Sequence, residues 1–325
     1  QQQQQQIPRN TKNDSCRPIT DGNATGAYAD CIKQQPSVTK PFRKEFHDGT
    51  LTISCVDVQY KAPLPKIHKL RENPVLMHDY EDAKLVVGVM SSPDSRSRRD
   101  SIRATWGTQL QNRIYFVISG EWDKLRDEWK QHHDIIWLDH PEKYEDLTYK
   151  TAVLMHVISQ HAVGGYHRIL KTDDDIYWNI HELTQLFSRG GEAYHEHYYG
   201  NCILGRNFPY RPYQKDKIPE YIQKFIIDKV AYPERCFPPY CFGWGYAVSP
   251  QFADCILHEI GTIRYLQFED VWIGLLAERC GFRVKTLEEE NRWAYGWTEA
   301  TWETNMTGKI MQHPVRTRAD MQARH

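Results

Sequence analysis

From Lys84 to Asp175 short apolar runs alternate with longer, partly polar stretches. Residues 85–90 (Leu-Val-Val-Gly-Val-Met) carry no polar side chain, which suits a short strand buried on both faces. Ser91-Ser-Pro-Asp-Ser95 turns the chain, and 95–106 reads as a basic helix that buries Ile102 and Trp106. The alternation continues with a strand at 113–118, a helix at 121–131, a strand at 135–138, a helix at 147–161 and a strand at 168–171. In the third helix Leu147, Leu154, Val157 and Ile158 form the apolar stripe. Strands and helices in this order predict an α/β fold with parallel strands and crossover helices. Ligands of such sheets sit at the carboxyl ends of the strands, which is where Thr172-Asp-Asp-Asp175 falls. Beyond about residue 190 the pattern is less regular, with helices expected at 219–230, 250–258 and 269–280. No internal repeat is visible.

The N-terminal part is different. Residues 1–40 open with six glutamines and stay polar without an apolar period, so they read as a stalk. Residues 41–82 hold one strand-like run at 51–56, but Pro63, Pro65 and Pro74 interrupt the remainder of this segment. They are expected to form an irregular lead-in packed on a main domain at 83–325.

Composition narrows the function classes. Hydrophobic residues are 40% and charged residues 26%, as in a soluble globular protein. A formal net charge of −1 supplies no basic excess for nucleic acid or an anionic membrane. No apolar run of about 18 residues is present to span a bilayer. The glutamine start suggests a chain cut from a longer one, with its anchor removed. The eight cysteines permit full pairing, and their spacing does not suit a four-ligand zinc site. With the sequons at Asn13, Asn23 and Asn305 they favour the secretory lumen.

Three consecutive carboxylates at a strand end repel one another, and a divalent cation relieves that repulsion while binding a ligand's phosphates. In an extended stretch Asp173 and Asp175 point to one side, so they are the metal-side pair, with Asp174 facing the metal or a ribose. Arg99 and Arg103 lie four apart on one helical face and can meet diphosphate oxygens; Arg98 is as easily a solvated cation. Lys150 and Lys171 are further candidates for nucleotide contact. Trp106 reads as core rather than as a sugar platform.

Five segments in order carry a specific resemblance: Arg98-Arg-Asp-Ser-Ile-Arg-Ala-Thr-Trp-Gly107, Tyr144-Glu-Asp-Leu-Thr-Tyr-Lys-Thr151, Lys171-Thr-Asp-Asp-Asp175, Phe237-Pro-Pro-Tyr-Cys-Phe-Gly-Trp-Gly-Tyr-Ala-Val-Ser249 and Phe268-Glu-Asp-Val-Trp-Ile-Gly274. The chain resembles the beta-1,3-glycosyltransferase family of beta-1,3-galactosyltransferases, beta-1,3-N-acetylglucosaminyltransferases and, more distantly, Fringe enzymes, over roughly residues 84–315. The resemblance implies a single glycosyltransferase-A domain, Rossmann-like, with a mostly parallel sheet flanked by helices. It implies a UDP-sugar donor, a Mn²⁺ ion, a glycan acceptor on protein or lipid, and a beta-1,3 linkage made with inversion. It also implies the luminal part of a type II Golgi membrane protein.

The resemblance assigns His313 as a metal ligand and Asp270 as the base, with Glu269 the lesser candidate. Inversion by a single displacement needs such a carboxylate opposite the departing diphosphate, to take the acceptor's proton. Acids at a helix start are also stabilised by the helix alone. The loop Gly243-Trp244-Gly245 is expected to border the donor sugar; relatives carry a small residue where Trp244 stands, so the ring narrows the donor pocket or stacks on a sugar. Two other readings use the same residues: a metal-dependent nucleotide-sugar hydrolase, and a non-catalytic glycan-binding protein on the same fold. Label passing to an acceptor rather than to water separates the first from transfer, and turnover separates the second.

Overall fold

The computed structural model describes residues 44–47, 50–53 and 85–321, the last with breaks at 111–112, 162–165, 190–196, 205–206, 230, 261–262, 264, 288–292, 296–308, 316–318 and 320. The expected stalk, the three sequons, and Cys16, Cys31 and Cys55 lie outside the described residues. Of the lead-in, only an antiparallel pair is described, β1 (Lys44–His47) with β2 (Thr50–Ile53).

The alternation read from the sequence is present. β3 (Val86–Met90), α1 (Arg96–Ala104), β4 (Ile114–Ser119), α2 (Trp122–His132), β5 (Ile135–Leu138), α3 (Leu147–His161) and β6 (Ile169–Asp173) come in turn. Then come β7 (Tyr177–Trp178), α4 (Ile180–Arg189), β8 (His197–Ile203), α5 (Glu220–Gln223), β9 (Tyr240–Val248), α6 (Pro250–Glu259), α7 (Glu269–Cys280), β10 (Arg283–Thr286), β11 (Trp293–Tyr295) and β12 (Met311–His313).

A seven-stranded sheet runs β10-β8-β9-β6-β3-β4-β5. Its pairs are parallel except those that β9 makes with β6 and β8. Because successive side chains in a strand point to opposite faces, each strand feeds two cores. Val86, Tyr115, Val117 and Ile136 join one, under α3, α6 and α7. Val87, Val89, Phe116 and Ile118 join the other, with Trp106 and Trp178. The mostly parallel sheet with helices on both faces is the fold class expected. Helix α3 is buried almost all round, Ala152, Val153 and Met155 included, rather than along a single stripe. It lies close on the sheet at Gly88, where a Cβ would meet Leu154 at 2.2 Å.

The helix expected at 219–230 is only the single turn α5, succeeded by a bridge between Tyr210 and Ile226. Beyond it the chain wraps Arg211, a buried cation whose guanidinium donates to the carbonyls of Ile227, Asp228, Tyr232 and Glu234. The Asp228 carbonyl also takes the Tyr232 amide, and the Ile227 amide turns to Tyr210 rather than back along a helix. Disulfides join β8 to β9 (Cys202–Cys241) and α6 to α7 (Cys255–Cys280).

Candidate active site

Three pieces of topology gather the motifs at one edge of the sheet. β6 ends in Asp173, beside the carboxyl end of β3 (Met90 opposite Asp173). β9 runs the other way, with Gly245 opposite Thr172, so its first half, Phe242-Gly-Trp244, reaches past the end of β6. β12 pairs with β7, Met311 opposite Trp178 and Gln312 opposite Tyr177, and the Val315 amide donates to the Asp175 carbonyl. That pairing returns the distant His313 to the acid triplet.

The three aspartates have different surroundings. Asp174 is buried and accepts from Ser91 Oγ and Arg98 Nη1, both at 2.8 Å. Asp173 is more open and accepts from Lys171 Nζ at 3.1 Å. Asp175 Oδ1 stands 3.7 Å from His313 Nε2, and both side chains reach solvent. Among the described residues no group of three or more His, Cys, Asp or Glu gathers as a metal cage. The observed pair still suits a divalent ion. An oxygen and an imidazole nitrogen at this separation can both reach one cation with bonds of about 2 Å, leaving its other positions to phosphate and water. The His313 ring stacks on Trp244, with centroids 4.6 Å apart, and Trp244 stacks on Phe242 at 4.4 Å. Trp244 therefore lies against the imidazole, a contact that its sequence context did not reveal.

Lys171 joins this end to the other. Its fully buried ammonium donates to Asp173, to the Gly243 carbonyl and, at 3.4 Å, to Glu269 Oε2. Glu269 is itself buried and accepts from the Tyr246 hydroxyl. Both its oxygens thus already meet protein donors, Lys171 at one and Tyr246 at the other. A Cβ on Gly243 would stand 2.8 Å from that carboxylate, and one on Gly245 would stand 2.5 Å from Trp178, so both glycines permit close packing.

Asp270 is the next residue, in the first turn of α7. Burial, and then the Glu269 charge, push its carboxyl up to about 7, against the opposing amides of Val271 and Gly243 and the Lys171 charge. A carboxylate that titrates there is suited to accept a proton at neutral pH. The half-exposed Tyr144 lies within electrostatic reach of both ends. Burial and then the charges of Asp270 and Asp173 push its phenol up to about 12. The Lys224 ammonium sits 4.8 Å from the Tyr144 ring centre and 4.9 Å from that of Phe225, and Phe225 packs on Phe268 just before the acids.

Two arginines expected at the diphosphate are occupied elsewhere. Arg99 is fully buried, pairs with Glu128 at 2.6 Å and donates to Ser91 Oγ. Arg103 is held by Glu128, Asp134 and Asp100. Their donors already answer protein carboxylates, so this correction moves both into the α1–α2 packing; Arg98, one residue earlier, is the one that reaches the acid triplet. Lys150 is likewise buried between Glu142 and the Ser91 carbonyl, beneath the site. Trp106 is core, its indole N–H on the Ile176 carbonyl. Lys171, Tyr246 and Tyr144 were underrated in the sequence. Period-two spacing of Lys171 and Asp173 was the available signal for the first; the other two lay inside matched segments with nothing to single them out.

The Galactosyltransferase family profile matches residues 97–288, more than half of the chain. This chain belongs to that family. It is similar to mouse beta-1,3-galactosyltransferase 5, 28% identical over 254 residues covering 75% of this chain and 72% of the relative. It is also similar to human UDP-GalNAc:beta-1,3-N-acetylgalactosaminyltransferase 1, 27% identical over 235 residues covering 68% and 67%. The chain is accordingly a hexosyltransferase of the beta-1,3-glycosyltransferase kind. All five motifs lie on or beside the edge just described, with the first and second partly turned to packing beneath it.

Proposed function

We propose that this transferase moves galactose or an N-acetylhexosamine from a UDP-sugar to the 3-hydroxyl of an acceptor glycan, with inversion, using a divalent metal such as Mn²⁺. The single observation that carries this reading is Asp270. It is a carboxyl poised near neutrality, tied through Glu269 and Lys171 to the same acid triplet that faces His313. The activities for which the relatives are named favour galactose and N-acetylgalactosamine as donor sugars.

Asp175 and His313 would hold the metal, which when bound offsets charge on a departing diphosphate; Asp173, expected beside Asp175 on the metal side, has one oxygen on Lys171. Arg98 and Ser91 fix Asp174 and so the turn that presents Asp175. Asp270 takes the proton of the attacking hydroxyl. Its charge rests against Glu269, and Lys171 balances the pair. Tyr144, Lys224 and Phe225 form the wall on the base side, where an acceptor sugar can lay its apolar face on a ring. A Golgi-luminal setting accords with the disulfides, which persist in oxidising compartments. No described helix is long and apolar enough to cross a membrane.

The test is a panel of UDP-sugars and beta-linked acceptors with Mn²⁺, scored for UDP release and for product linkage by NMR. A beta-1,3 product whose formation fails in Asp270→Asn supports the reading. Release of free sugar with no acceptor product favours the hydrolase, and no turnover with any donor favours a binding role.

A further inference from the structure

We propose that Trp244 is a positioning residue that holds the His313 imidazole ready for the metal. The inference rests on the reading that Asp175 and His313 form the metal side. Between Gly243 and Gly245, where neither neighbour carries a side chain, stands the indole of Trp244. That ring lies nearly parallel to the imidazole, at 25° and 4.6 Å, and its other neighbour in the stack is Phe242, at 26° and 4.4 Å.

The stack is anchored at its base. The Trp244 carbonyl accepts from Thr172 Oγ1 at 2.9 Å, and Thr172 Oγ1 accepts from Trp178 Nε1 at 2.9 Å. Thr172 adjoins Asp173, and Trp178 pairs with Met311 two residues before His313. The acids and the imidazole are thus referred to one rigid frame, with Trp244 as the surface against which the imidazole is set.

A partly exposed histidine on a three-residue strand would otherwise sample several rotamers, and fixing it on metal binding carries an entropic cost. A ring stacked along its plane fixes that orientation beforehand and leaves the in-plane Nε2 lone pair aimed beside Asp175 Oδ1. Residues behind a ligand that orient it change metal affinity by about 10- to 100-fold when lost.

The experiment titrates Mn²⁺ into the full chain with saturating UDP, reading free Mn²⁺ by electron paramagnetic resonance and, in parallel, tryptophan fluorescence. Trp244→Leu is expected to weaken Mn²⁺ about tenfold, while Trp244→Phe, which keeps a stacking ring, stays near wild type. In a His313→Ala background Trp244→Leu should add nothing further. Mn²⁺ is paramagnetic and quenches nearby indoles, so the quenched fraction should fall in Trp244→Phe although that variant still binds. If Trp244→Leu does not fold, this fluorescence difference decides. Wild-type affinity in Trp244→Leu, full additivity with His313→Ala, or undiminished quenching in Trp244→Phe each overturns the inference. Unchanged affinity in His313→Ala alone overturns the metal side itself, and so separates that failure from failure of the stack.

Discussion

Replacing Asp270 with asparagine should remove activity and raise stability together. The carboxyl moves from 3.8 to about 7 on folding, chiefly through burial and then through Glu269. The folded chain therefore holds a proton that the unfolded chain has released between roughly pH 4 and pH 7. Stability falls as pH rises through that window, and the whole cost is present above it. A displacement of roughly three pK units corresponds to about 4 kcal/mol at full ionisation. Asparagine keeps an oxygen for the Val271 amide and never ionises, so it recovers most of that cost at about pH 8 and almost none below about pH 4. For a domain of this size about 2–4 °C of Tm accompanies each kcal/mol, so a rise of roughly 5–10 °C is expected at pH 8. Thermal melts of both chains from about pH 4.5 to 8.5, in metal-free buffer, measure it. Loss of a general base lowers kcat by about 10²- to 10⁴-fold. A variant that melts below wild type in mildly alkaline buffer, or whose advantage does not grow with pH, refutes the assignment of a buried, reluctant acid. Turnover within a few-fold of wild type refutes the base.

Other outcomes rest on packing and charge. The wild-type kcat/KM should fall below about pH 7 on an acid limb set by Asp270, seen in a pH–rate profile with metal held saturating. Gly245→Ala drives a methyl to 2.5 Å from Trp178 and should cost about 1–3 kcal/mol by chemical denaturation. Arg99→Met leaves Glu128 buried with one cation fewer; it should lower stability by about 3 kcal/mol while the donor KM of the folded fraction stays within about twofold. Cys255→Ser with Cys280→Ser opens a crosslink of separation 25 and should cost about 3 kcal/mol, measured the same way.

The legible part of the fold was the part in which side chains on both faces of a strand are apolar. β3, β4 and β5 announced themselves as unbroken runs because a doubly covered parallel strand must be apolar throughout. β8 and β9 are as well buried over most of their length, yet read His-Tyr-Tyr-Gly-Asn-Cys-Ile and Tyr-Cys-Phe-Gly-Trp-Gly-Tyr-Ala-Val. Their glycines and tyrosines meet partners from elsewhere, such as Glu269 and Trp178, which no local pattern records. The same limit governed the site. Helical spacing put Arg99 and Arg103 on one face, but only the positions of Glu128 and Asp134 decide what that face meets. Adjacent acids at 269 and 270 point differently, and what Glu269 meets depends on Tyr246 and Lys171, distant in sequence. Beyond α5 the backbone is held by a buried guanidinium at least 16 residues away in sequence, which no local pattern records.

The pairing of β12 with β7 bears on how the protein is cut for study. The family match stops at residue 288, and the seven-stranded sheet is complete by Thr286. A fragment ended at either point would retain every strand of that sheet and Asp270, but would strip Ile310, Met311, Val315 and Met321 from the second core. It would lack residues 311–313, and with them the imidazole that lies beside the aspartates. The residues after 288 thus serve packing and the proposed metal side together, so loss of Mn²⁺ binding in such a fragment would have to be read beside its stability.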